Sequence, residues 1–279
     1  MRGIVNAHVH LEIPDTVTPR GIGLPAWISA WRAGGPSSAE VALANARTLA
    51  ANGTTAVIDI SNLNVGQAAM EAAGLAGLAL HEVYGFNSPN LADDLPNGTP
   101  HAPYSTHPQT IQTVARSGRR WSIHLDEDQA ERDFLRDGSG PWPDHLRAFG
   151  RDLSAWTPPG LTPVRWLDSL GVLGPNALLV HCTLTEPADL ELIAERGATI
   201  CVCPRSNLHI TGRLPNVPAM LEREVRVLVG TDSLSSCLDL DVRNDVALLR
   251  EAFPQVPADR WDRCLIDDAW SYLGEAGNP

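Results

Sequence analysis

Short apolar runs rich in Val, Ile, Leu and Thr alternate along this chain with longer stretches in which apolar positions recur every three or four residues. The continuous or period-two runs predict strands at 3–9, 54–60, 76–84, 98–104, 119–126, 177–183, 199–204 and 225–231. The helical period predicts helices over 38–51, 64–74, 107–117, 128–149, 162–172, 186–197, 216–223 and 240–253, with a last one over 258–273. Strands that alternate with helices pair in parallel through right-handed crossovers, and eight such units close into a TIM-type (β/α)8 barrel. A barrel of about 250 residues is ordinary, so one α/β barrel domain over 1–279 is expected. The Pro/Gly-rich stretches 87–103 and 138–163 are the expected long loops, and loops of that length often cover a site.

Barrels of this kind place their chemistry at the C-terminal ends of the strands. His8 and His10 end the first predicted strand, and side chains two apart on a strand share a face, so both imidazoles can reach one metal ion. With nine histidines in the chain, that pair alone means little. His124 near the end of the fifth run, His181 of the sixth and Asp232 after the eighth change its weight. A lone strand histidine is usually a hydrogen-bonded core residue, and a lone Asp after a strand is usually a cap. Several on one rim point instead to a shared cation. Glu127, three residues past His124, is either a proton carrier over that rim or a helix-start carboxylate beside Asp126 and Asp128. His81, His107, His145 and His209 have no such setting and are assigned to structure or solvent.

Composition narrows the chemistry. All 21 basic residues are arginines, which excludes a lysine Schiff base, a phosphate loop ending in Lys and a metal pair bridged by carboxylated lysine. A net charge of −12 opposes nucleic acid and anionic lipid, leaving a small molecule as the expected partner. No apolar run approaches the roughly 18 residues of a membrane span, and no basic leader precedes an apolar core, so a cytoplasmic protein is expected. The five cysteines form no Cys-x-x-Cys pair, as expected in a reducing compartment, and Cys201 and Cys203 read as inward strand residues.

Six stretches in order resemble the amidohydrolase superfamily, within it the adenosine, S-adenosylhomocysteine and guanine type of deaminases. They are Asn6-Ala7-His8-Val9-His10-Leu11-Glu12, His101-Ala102-Pro103-Tyr104-Ser105, His124-Leu125-Asp126-Glu127, Val180-His181-Cys182, Cys203-Pro204-Arg205-Ser206-Asn207-Leu208 and Gly230-Thr231-Asp232-Ser233. The opening stretch looks most like the 6-aminodeoxyfutalosine deaminases of the menaquinone route. The resemblance implies that His8, His10, His124 and Asp232 hold one divalent metal, Zn²⁺ first and Fe²⁺ as the alternative. It implies that His181 orients the activated water and that Glu127 shuttles the proton.

The implied reaction is hydrolytic deamination of an aminopurine nucleoside or related purine, with release of ammonia. By the same resemblance His101, Tyr104 and the Arg205-Ser206-Asn207 turn border the substrate. Tyr104 could equally pack, and Glu12 and Glu82 are either partners of a ribose-like diol or solvated rim charges. The rival enzyme reading keeps the metal but dechlorinates a triazine-like ring or opens a cyclic amide. A noncatalytic ligand-binding barrel is the rival outside enzymology, and it predicts loss of Glu127, His181 or a ligand, all of which are present. Relatives carry a small β-sandwich, yet seven residues precede His8 and about 47 follow Asp232, so a barrel without it is expected. The outer surface then exposed raises the prospect of a homo-oligomer.

Overall fold

The computed structural model describes residues 2–89 and 97–274. Eight strands run β1 (Ile4–Val9), β2 (Thr54–Ser61), β3 (Ala76–Val83), β4 (Gly98–Pro100), β5 (Trp121–Leu125), β6 (Ala177–His181), β7 (Thr199–Val202) and β8 (Arg226–Val229). They form two four-stranded parallel sheets, β1 to β4 and β5 to β8, each in sequence order. Two seams join the sheets into the expected barrel. At one, His124 N–H donates to the His101 carbonyl (2.9 Å), and Thr99 Oγ1 and Ser122 exchange hydrogen bonds of 2.6 and 2.7 Å. At the other, Thr231 and Asp232 N–H groups both donate to the His8 carbonyl at 3.0 Å. Gly230 permits that approach, because a Cβ there would lie 2.7 Å from the backbone nitrogen and Cβ of His8.

Side-chain parity sorts each strand between lumen and outer shell. Val5, Ala7, Ile58, Ile60, Leu178, Val180, Cys201, Cys203 and Leu228 fill the lumen, so the two cysteines are the inward residues expected. Ile123, Leu125, Leu179, Ile200, Val202, Val227 and Val229 face the surrounding helices. The helix Asp267–Leu273 closes the N-terminal end, with Trp270 Nε1–H donating to Gly3 O (2.8 Å) and Tyr272 O–H to Asn176 O (3.0 Å). The β1–β2 register breaks between Asn6 and Val9, which turns His8 and His10 inward while Val9 packs outside.

The helical predictions hold best where caps are explicit, as at Ser38, whose hydroxyl accepts from Val41 N–H at the start of Ala39–Ala51. Others divide. The stretch 128–149 is two helices, Gln129–Asp137 and Trp142–Ala148, because Gly138 takes a left-handed φ of 74° and ends the first. The stretch 258–273 breaks at Ile266 into Ala258–Leu265 and Asp267–Leu273. The strand expected at 98–104 stops at Pro100, and residues 90–96 of the loop expected at 87–103 lie outside the described residues. Two helices are additional: Leu24–Arg32, and Pro204–Ile210 where a turn is expected. No helix among the described residues is long and apolar enough to cross a membrane.

Candidate active site

The C-terminal rim gathers the predicted residues. Ligating atoms of His8, His10 and Asp232 lie within 4.8 Å of one another, and so do those of His8, His124 and His181. His8 is common to both groups and fully buried. Its ring lies 5.0 Å from those of His10 and His124, centre to centre. The chain bends sharply to deliver these groups: His181 and Asp232 take φ of 74° and 64°, a left-handed conformation that costs a non-glycine residue about 1–3 kcal/mol. Each stands where a strand ends and the backbone turns away from the lumen.

Hydrogen bonds fix which ring nitrogens face inward. His10 Nδ1–H donates to Ile60 O and His124 Nδ1–H to His101 O, both at 2.9 Å, leaving each Nε2 as a lone pair toward the cluster. His8 has no hydrogen-bond partner at either nitrogen among the described residues, its Nε2 standing 3.7 Å from Asp232 Oδ1. Burial lowers its pKa to about 3, so it is a neutral imidazole at pH 7. Burial pushes Asp232 upward, yet His8 and His10 together hold it well below the usual carboxylate range. Orphaned neutral imidazole nitrogens beside a carboxylate fit one divalent cation.

His181 is oriented differently. Asn207 Nδ2–H donates to its Nδ1 (3.1 Å), which places the ring proton on Nε2, 3.5 Å from Glu127 Oε2. That nitrogen is a donor rather than a ligand. Glu127 is buried, its Oε1 lacks a partner among the described residues, and burial with the nearby Asp232 raises its pKa well above the usual value. Such surroundings favour the protonated form of the carboxyl group. Its neighbour Asp126 is committed elsewhere, to Arg132 (2.6 Å) and Thr185 Oγ1 (2.8 Å).

A cavity of about 460 Å³ opens over this cluster, within the range of small-molecule sites. His101, Tyr104 and Glu82 line it. Glu12, Arg205, Ser206 and Asn207 do not. Glu12 is fully buried and accepts from Ser61 Oγ and Asn62 N–H, each at 2.6 Å, so it is neither a rim charge nor free for a diol. Arg205 turns outward to Asp245 (2.8 Å) and Asp239 (3.0 Å), because a buried carboxylate there needs a counter-charge. Ser206 Oγ donates to Asp232 Oδ2 (2.6 Å), as does Ser236 Oγ (3.0 Å), so Ser206 and Asn207 hold members of the cluster and do not line the cavity.

The residues missing from the sequence reading are on the wall. Leu24, Trp27, Ile28 and Trp31 face the cavity from one side of the helix Leu24–Arg32, joined by Arg32, Asn62, Tyr84 and Arg151. Their i, i+3, i+4, i+7 spacing behind Pro25 is the signal available in the sequence. Tyr84 O–H donates to Glu82 Oε2 (2.7 Å), leaving Glu82 Oε1 near His124 Nδ1 (3.4 Å).

The sequence profile of the Amidohydrolase family matches residues 1–259. The chain belongs to the amidohydrolase family. Among its curated relatives, aminodeoxyfutalosine deaminase of Deinococcus radiodurans is 34% identical over 170 residues, covering 56% of this chain and 40% of that protein. Other curated relatives are covered to between 29% and 56% of their length, so this amidohydrolase chain spans about half or less of most of them. In solved structures the fold matches Helicobacter pylori aminofutalosine deaminase in complex with methylthio-coformycin at a TM-score of 0.81 and 18% identity, over 98% of this chain and 74% of that one. It also matches the zinc complex of atrazine chlorohydrolase from Arthrobacter aurescens TC1 at 0.76 and 17%, over 98% and 71%.

Proposed function

We propose that this amidohydrolase is a metal-dependent deaminase of an aminopurine nucleoside, of the adenosine or 6-aminodeoxyfutalosine type. The observation that carries the reading is Glu127: a buried carboxyl with one oxygen lacking a partner among the described residues, 3.5 Å from a donor nitrogen of His181 and facing the same cavity as His10, His124 and Asp232. Removing an amine from a ring carbon requires proton delivery to nitrogen as the C–O bond forms and the C–N bond breaks. Glu127 gives its proton to the ring nitrogen beside the reacting carbon, regains one from the adding water, passes it to the amine, which leaves as ammonia, and is reprotonated by the new hydroxyl as that carbon becomes a carbonyl. His181 Nε2–H orients the attacking water. His8, His10, His124 and Asp232 would hold the metal, zinc before iron, and a bound divalent ion supplies Lewis acidity that lowers the pKa of water from 15.7 toward about 7.

A second reading, hydrolytic dechlorination, draws support from the likeness to atrazine chlorohydrolase. A panel of aminopurine nucleosides and chlorotriazines separates the two when products are scored for ammonia and chloride. The expected result is ammonia with an adenine-to-hypoxanthine ultraviolet shift, abolished by chelation and restored by zinc. Chloride release without ammonia would overturn the deaminase reading. A protein that holds no metal yet binds nucleoside saturably would favour a noncatalytic barrel.

A further inference from the structure

We infer that Asp128 is a positioning residue: its carboxylate joins the helix that walls the cavity to the chain that presents Glu127, and so sets where a purine held by the wall stands relative to the proton carrier. The inference rests on the proposed role of Glu127 and adds what fixes its reach. Asp128 follows Glu127 directly, is 6% exposed and does not line the cavity. Its Oδ1 accepts from Glu131 N–H (3.1 Å) and caps the helix Gln129–Asp137. Its Oδ2 accepts from the N–H of Leu24 (3.0 Å), the first residue of the wall helix Leu24–Arg32 and 104 residues away in the chain. Gly23, at a left-handed φ of 80°, brings no side chain to that helix start, and a Cβ there would lie 3.8 Å from the same carboxylate oxygen.

A carboxylate is more than the cap requires. Serine or threonine would hold the first turn of Gln129–Asp137 as well, without the cost of burying a charge. Among the described residues no arginine pairs with Asp128, whereas Asp126, two residues before it, is held by Arg132 (2.6 Å). What the carboxylate adds is a second acceptor, and that acceptor goes to the wall. The other side of the joint is fixed as well, because Glu131 Oε2 accepts from Glu127 N–H (3.1 Å). Leu24, Trp27, Ala130 and Phe134 belong to one buried cluster across the two helices. Apolar packing has no direction, so it is the hydrogen bonds through Asp128 that set the register. From Leu24 the wall helix runs on to Trp27 and Trp31 at the cavity, and one residue before Asp128 the chain delivers Glu127 to the same cavity.

The test separates this bond from the cap and from the wall side chain. Asp128→Ser keeps an acceptor for Glu131 and loses the one for Leu24. Leu24→Pro removes the donor at a helix position that tolerates proline, whereas Leu24→Ala shortens the side chain and keeps the donor. Steady-state rates are read with adenosine or 5′-deoxyadenosine, whichever turns over faster, and metal content by elemental analysis. Asp128→Ser and Leu24→Pro are each expected to lower kcat about tenfold and to raise KM several-fold at unchanged metal content, while Leu24→Ala raises KM alone. In the double variant the two losses of kcat should not multiply, since one bond is removed once. Losses that do multiply, or a kcat unchanged in both single variants, overturn the inference. Should Asp128→Ser fail to fold, Leu24→Pro against Leu24→Ala decides it. If the unaltered zinc-loaded protein releases no ammonia from any aminopurine nucleoside, the deaminase reading fails and the joint is read by hydrogen exchange. Amides of 129–137 should then exchange several-fold faster in Leu24→Pro than in Leu24→Ala, and equal rates overturn the joint as well.

Discussion

The floor and the wall of the cavity are built on different physical terms. The floor is made by strand ends: His8, His10, His124, His181 and Asp232 are each buried and most are held by a second residue, as Ser206 holds Asp232 and Asn207 holds His181. The wall is one short helix, Leu24–Arg32, with the exposed stretch around Phe149 and Arg151, and its donors Trp31 Nε1, Arg32 and Arg151 lack protein acceptors among the described residues. With the proposed function, a site whose floor is over-determined and whose wall is unsatisfied would fix the reaction in one place and choose its substrate in another. Substitutions in the two regions should therefore fail in different ways.

The sharpest separation is expected at Glu127. Glu127→Gln keeps the shape of the floor but removes the proposed proton carrier, so kcat should fall about 10²- to 10⁴-fold with metal content unchanged by elemental analysis. Full turnover in that variant would dissolve the distinction. Behind the floor, Arg205→Met strands Asp245, whose pKa burial already pushes up to about 6, and should cost about 3–5 kcal/mol in urea unfolding at pH 7.5. Ser206→Ala leaves Asp232 with one hydroxyl fewer and should weaken metal retention about 10- to 100-fold against a chelator.

Acid should undermine the floor of the metal-free protein through His8. Its folded pKa of about 3 lies below the ordinary 6.5, so the unfolded chain binds the proton first. That contribution is complete above pH 6.5 and is lost as pH falls toward 3, at about 1.4 kcal/mol per pH unit. Urea midpoints of chelator-treated protein at pH 7.5 and 5.5 read the slope, which His8→Asn should reduce. The smallest effect belongs to the wall: Trp31→Ala should raise KM several-fold with kcat nearly constant. A large loss of kcat there would show that the wall takes part in the chemistry.

The same division decides what the sequence discloses. The floor is legible because strand periodicity places residues on a barrel rim whatever the details, and His8, His10, His124, Glu127, His181 and Asp232 meet there as read. Arg205, Ser206, Asn207 and Glu12 are legible as neighbours of the site but not in their direction, since one register step on the helix Pro204–Ile210 decides whether a side chain meets the cavity, Asp232 or Asp245. The wall is obscure for another reason. Leu24–Arg32 is nine residues long, begins after Gly23 with no side-chain cap, and spends its apolar face on the cavity rather than the barrel core. The split of 128–149 at Gly138 is an ordinary glycine signal outweighed by continuous apolar spacing.

The seam between β8 and β1 places Val9 beside Asp232, across most of the polypeptide. The histidine pair leaves the ribosome more than 220 residues ahead of its carboxylate companion. A nascent chain therefore carries His8 and His10 without Asp232 while residues 11–231 are made, and the proposed donor set is complete only when the ring shuts. With that proposed donor set, metal loading follows the closing of the ring.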